Sequence, residues 1–241
     1  MGGMQLLARL LVFFLLATIL RADGALAPAR RAQAMVGAET WSRVIRVDNA
    51  SRFGRYPRVV YALVFELADL LWFYTDTDGT QSLSLHRGRL AEEKADLGSL
   101  LRKIEPGFTQ WCVVPDQTGL PVASRGALPN GCFIDSVAAL RERLARGGAV
   151  MRPQLLSFYV ETSMGLKGHT VLTYETSRGA VVIDPTGPTP TQTFPVQLAR
   201  DPLALARAFG GPQVDRVRVL PLEVPQIYLA SSASGSGHEH G

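Results

Sequence analysis

Downstream of residue 130 the apolar positions fall into a helical rhythm. Phe133, Val137, Leu140 and Leu144 recur at steps of three and four until Gly147-Gly148 ends the run. The segment Pro115–Pro129, rich in Gly, Pro and Ser, shows no such period and reads as a loop. The helix is therefore expected to open at Cys132, with Asn130 as the candidate cap of its first turn.

Past that helix the period changes to two. The runs 168–175 and 180–184 flank a short Gly-containing turn at Thr176-Ser177-Arg178-Gly179 and predict a β-hairpin. With Ser177-Arg178 as a two-residue loop, Leu172 pairs with Ile183 and Tyr174 with Val181, an apolar set suited to lie under the helix. The opposite face then carries His169 and Asp184 as diagonal neighbours, roughly 7–8 Å apart at the backbone and within side-chain reach. A three-residue loop would put the two on opposite faces.

The other patterned stretches fill out a mixed chain. Val44–Val47, Val59–Phe65 and Leu70–Thr75 read as strands, although Leu63–Leu71 also suits a buried helical segment. Asp76–Gly79 is turn chemistry, followed by a strand at Thr80–His86. Leu90–Ile104 reads as one helix stopped by Pro106-Gly107, then Phe108–Val114 as a strand. At Thr186-Gly187-Pro188-Thr189-Pro190 the chain is expected to turn away from the sheet; further on, Pro202–Phe209 reads as a helix, Val214–Val219 as a strand and Val224–Leu229 as an edge strand. Hairpins with interspersed helices give an α+β class, a single domain over 41–230 with an N-terminal part (41–115) and a Cys/His/Asp core (116–230).

Ends and composition narrow the picture. Arg9 precedes an apolar run from Leu10 to Leu20, and small residues follow at Ala25-Leu26-Ala27, the layout of a signal peptide over 1–27. The cleavage site is expected between 24 and 34, with an uncleaved membrane anchor as the alternative. Export to the periplasm or outside the cell follows, and no integral membrane span after processing. The Arg-rich stretch 28–40 reads as a flexible basic leader and 231–241 as a disordered tail. The net charge of +4 lacks interleaved aromatics or a reading motif, so nucleic-acid binding is not expected. No repeat, P-loop or dinucleotide fingerprint is present, and no cofactor is implied. Asp76 and Asp78 lack the later acidic ligands of a calcium loop, and His238 and His240 on a tail make no defined metal site.

The chemistry concentrates at Cys132, His169 and Asp184. A helix N-terminus favours a thiolate over a thiol, a histidine can hold that thiolate and later give its proton away, and a carboxylate fixes the histidine ring. The order Cys, His, Asp, with Gly-Cys opening a helix and a His-bearing strand followed by one ending in Asp-Pro-Thr, resembles the transglutaminase-like branch of the papain-like cysteine enzymes over about residues 128–188. The resemblance implies a helix bearing Cys132 packed on an antiparallel sheet bearing His169 and Asp184. It also implies a thioester-forming hydrolase or acyltransferase acting on protein, peptide or cell-envelope amides. For the family's oxyanion helper, Trp111, Gln110, Gln117 and Asn130 are the available residues. The competing expectation is a non-catalytic exported binding or scaffold domain with a Cys112–Cys132 disulfide and a packed His169, since exported chains oxidise paired thiols. Its functional surface would be the 73–114 region. In the enzymatic reading Cys112 is a buried strand thiol.

Overall fold

A computed structural model describes residues 24–51, 54–84, 90–115, 128–162 and 165–223. Two five-stranded antiparallel sheets dominate it. The first has the order β4-β3-β2-β1-β5, built from β1 (Ser42–Asn49), β2 (Val59–Leu67), β3 (Leu70–Thr75), β4 (Gly79–Ser82) and β5 (Phe108–Val113). The second has the order β10-β6-β7-β8-β9, from β6 (Met151–Thr162), β7 (Gly165–Thr176), β8 (Gly179–Ile183), β9 (Thr191–Phe194) and β10 (Val214–Pro221). The helices are α1 (24–36), α2 (Leu90–Ala95), α3 (Leu97–Ile104), α4 (Cys132–Ala145) and α5 (Pro202–Gly210).

Strand alternation sets the layers. On the first sheet Ile45, Val47, Val64, Leu71 and Phe73 face Leu97, Leu100 and Leu101 of α3. Val44, Leu63, Phe65, Trp72 and Tyr74 point the other way, into a central core with α1 and α4. The second sheet closes that core from below with Leu155, Leu172, Tyr174 and Val181, while its outer face, including Leu156, Val171 and Val182, lies under Leu205 and Ala206 of α5. The helix bearing Cys132 is thus clasped between two sheets. Each large side chain in this core contributes roughly 1.5–3 kcal/mol, and Phe133 of α4 anchors it with its ring 4.6 Å from that of Trp72.

The α+β class agrees with the sequence, and several elements differ from what the pattern suggested. Residues 28–40 are not a flexible leader: α1 occupies 24–36 and buries Ala29, Ala32 and Val36 to 2% exposure or less. Its apolar stripe is made of small residues, and small residues allow close packing. Gly37, at a φ of 99°, ends it, and Arg141 of α4 ties it down by donating to Met35 O (2.9 Å) and to both Glu39 carboxylate oxygens. The 90–104 helix breaks at Asp96 into α2 and α3. Leu63–Leu71 is the β2–β3 hairpin, its turn formed by Ala68 and Asp69 at positive φ. The chain after Pro190 turns back as β9 and pairs with β8. β6, between β10 and β7, is an element the pattern did not show, because both of its faces are buried along Leu155, Leu156 and Phe158 and no alternation survives. The expected leader over 1–23, the edge strand at 224–229 and the tail lie outside the described residues.

Candidate active site

The β7–β8 hairpin sets the first half of the site. Leu172 pairs with Ile183, Tyr174 with Val181 and Thr176 with Gly179, the register of a two-residue turn. Side chains alternate, so the apolar pairs turn toward α4 and His169 and Asp184 share the other face at the corner where β8 stops and β7 continues. There His169 Nε2 lies 2.8 Å from Asp184 Oδ2. Phe158, opposite His169 on β6, holds the imidazole edge-on at 5.5 Å between centroids.

Asp184 is fixed by the turn that follows it. The Thr186 amide donates to Asp184 Oδ1 at 3.0 Å and the Thr186 hydroxyl at 2.8 Å, which leaves Oδ2 for the histidine. Gly187 packs against the same carboxylate: a Cβ placed there would stand 2.6 Å from Oδ2. Burial works to raise the Asp184 pKa, but the hydrogen bonds from His169 and Thr186 outweigh it and hold the group below the usual carboxylate range.

α4 brings Cys132 to this corner. Ser136, fully buried one turn below, directs its hydroxyl toward Cys132 O (2.7 Å) and Thr170 O (3.1 Å), joining the first turn of α4 to the residue after His169. Cys132 acts on the His169 ring together with Asp184, and with Nε2 on the carboxylate, Nδ1 is the ring nitrogen that Asp184 leaves free. The Cys132 hydrogen bond, and after it that of Asp184, pushes the His169 pKa up to about 9 against the opposing effect of burial. At neutral pH the ring is therefore an imidazolium between two potential anions, at the positive end of a helix.

The turn ahead of Cys132 is pinned from three directions. Asn130 is not the cap; Gly131 holds that position without a side-chain hydrogen bond. Asn130 adopts a φ of 51° and spends its amide on Asp76 O (2.7 Å) and Thr77 O (3.0 Å), which fastens the turn to the β3–β4 corner. The Tyr74 hydroxyl donates to Pro129 O at 2.9 Å. Asp135, 5% exposed, takes a hydrogen bond from the Leu128 backbone and lies in the field of Arg31 from α1. Burial comes first among its influences and raises its pKa to about 6, with the charge of Asp184 adding to the effect.

Cys132, His169 and Asp184 are thus brought together; of the candidate helpers, Asn130 stands in the turn just before Cys132 with its amide on the β3–β4 corner, and Trp111 and Gln110 lie elsewhere. Trp111 sits on β5, four strands from β4 and so roughly 19 Å away at the usual inter-strand spacing; it pairs with Val47 on the α3 face and packs against Gly98. Gln110 lies on the same far strand. Gln117 falls outside the described residues. Cys112 is an exposed thiol and not a buried one, because β5 is an edge strand, and both it and Cys132 are free. The structure therefore has no Cys112–Cys132 disulfide.

Sequence reasoning missed Tyr74, Asp135, Ser136 and Thr186. Ser136 carried a signal: a hydroxyl four residues after Cys132, on a helix face otherwise lined with apolar side chains. A cavity of about 290 Å³ opens beside the C-terminal half of α4, lined by Val137, Leu140 and Leu144 together with Glu39 and Arg141, well along the helix from Cys132. Among the described residues no helix is long and apolar enough to cross a membrane, and no group of three His, Cys, Asp or Glu side chains could hold a metal. No family model, curated protein or solved structure matches the chain.

Proposed function

We propose that this protein is an exported cysteine enzyme of the transglutaminase-like class, acting on amide or ester carbonyls of peptides or the cell envelope. The observation that carries the reading is the imidazole of His169 standing between Cys132 and Asp184. In this mechanism the Cys132 thiolate attacks the carbonyl carbon. The amide N–H of Cys132, first residue of α4 and without an intrahelical acceptor, is placed to receive the developing oxyanion. The His169 imidazolium gives its proton to the leaving amine or alkoxide as the tetrahedral intermediate collapses to a thioester. Asp184 holds the ring and stabilises its charge. Water, deprotonated by the now neutral His169, then releases an acid; an amine in its place gives a transferred acyl group.

The test is to mix the protein with a p-nitrophenyl ester and weigh it. The expected result is an acyl adduct on Cys132, released with time, absent in Cys132→Ser and strongly reduced in His169→Ala. Acylation at other residues, unaffected by either substitution, overturns the proposal.

A further inference from the structure

We infer that Tyr159 forms the floor of a substrate subsite for a flat apolar side chain beside the reacting carbonyl, an inference that rests on the enzymatic reading above. Its place follows from register. Leu155 of β6 faces α4, so Ser157 and Tyr159 face the same way. Ser157 pairs with Thr170, whose carbonyl receives the Ser136 hydroxyl one turn into α4. Tyr159 pairs with Gly168, two residues further along both strands in the direction of Cys132, the residue at which the helix begins. The turn before Cys132 leaves toward the first sheet, where Asn130 and Pro129 are held. Among the described residues, then, the helix that covers Leu155 and Leu172 stops short of Tyr159.

Two features set this residue apart from an ordinary surface tyrosine. It is 36% exposed on a sheet face whose next apolar residue down the strand, Leu155, is 0% exposed. Its ring also lies across Gly168: a Cβ there would come within 3.0 Å of Tyr159 Cε1. The glycine lets the ring lie down against β7, immediately beside His169, and present its face to whatever sits over Cys132. Aromatic faces bind flat apolar groups by stacking and area burial. A substrate placing an aromatic or similarly flat side chain next to its scissile carbonyl would cover this ring while its carbonyl meets the sulfur.

Chloromethyl ketones test the subsite, because the Cys132 sulfur displaces chloride from the chloromethyl carbon, forming one C–S bond and breaking one C–Cl bond, with no further reactant. The measurement is the ratio of labelling rates at Cys132 for the phenylalanine and alanine chloromethyl ketones, with iodoacetamide as a probe that needs no subsite. The expected result is a preference for the phenylalanine reagent on the order of tenfold, as a single apolar contact surface gives. Tyr159→Phe should keep it and Tyr159→Ala should lose it, with iodoacetamide rates unchanged in both. A ratio near one in the wild type, or a preference surviving in Tyr159→Ala, overturns the subsite alone. Failure of Cys132 to react faster than Cys112 even with iodoacetamide overturns the enzymatic reading, and the subsite with it.

Discussion

The two sheets of this protein are built to similar size and do different things. The first is apolar on both faces: Ile45, Leu63, Val64, Phe65, Leu71 and Phe73 are all at 0% exposure. The second is equally apolar where α4 and α5 cover it, but at the corner where β8 ends it carries His169, Asp184, Thr170 and Gly168, next to the first residue of α4. The first sheet is a platform that presses α4 into position through Phe65, Trp72 and Phe133. The proposed chemistry falls where the second sheet runs out of cover, since a charged pair needs polar partners that a sealed core cannot give.

That contrast can be broken by substitution, and the largest effects belong at the corner. Cys132→Ser should remove acylation altogether while unfolding near the wild-type temperature, and His169→Ala should slow it by on the order of a hundredfold, since the sulfur loses its partner and the leaving group its proton donor. Phe65→Ala should do the reverse. It should cost about 3–5 kcal/mol of stability, the range for truncating a buried Phe, while the protein that stays folded acylates at its normal rate. If Phe65→Ala instead abolished chemistry in folded protein, the division between platform and corner would fail.

Removing residues 24–36 is the next largest, lowering Tm by on the order of 10 °C through loss of the buried α1 stripe. If the chain is exported, the mature protein recovered from its host should accordingly start at or before Gly24. A mature start inside α1 would contradict its place in the core.

Gly187→Ala should act more mildly, slowing acylation by about tenfold as the added methyl pushes on Asp184, with Tm changed by only a few degrees. Its readout is acylation rate against pH, because a displaced carboxylate lets His169 lose its proton at lower pH.

The smallest effect is on stability against pH. His169 is raised from 6.5 to about 9 in the folded protein, so its contribution is full below pH 6.5 and is lost as pH rises through 9. Asp135, raised from 3.8 to about 6, loses its contribution as pH rises between those values. Asp184 has the opposite sense: its contribution is present above pH 3.8 and lost as pH falls through its lowered folded value. Tm should therefore decline from pH 6.5 to 9, a decline that His169→Asn flattens and Asp135→Asn leaves in place.

How much of this was legible in the sequence follows the same division. The β7–β8 hairpin could be read to the residue because each face had its own content: Leu172 and Tyr174 demanded cover, while His169 and Asp184 did not. The anchoring of the turn before Cys132 could not, because the residues that pin Pro129 and Asn130 come from β3 and the β3–β4 turn, more than fifty positions earlier. α1 was hidden by its composition, since Ala29 and Ala32 between arginines look like a solvated stretch until a neighbour close enough to bury them is known.

The central proposal is that His169 activates Cys132 as a nucleophile, and the rate of Cys132 alkylation by iodoacetamide at neutral pH tests it most directly. Cys112, free and exposed on β5 at the far edge of the first sheet, is an internal standard in the same tube. The account predicts that at neutral pH Cys132 is alkylated well ahead of Cys112, because His169 assists its sulfur, and that replacing His169 by Ala removes this advantage. A wild-type Cys132 rate no faster than that of Cys112, or an advantage that survives in His169→Ala, would contradict it.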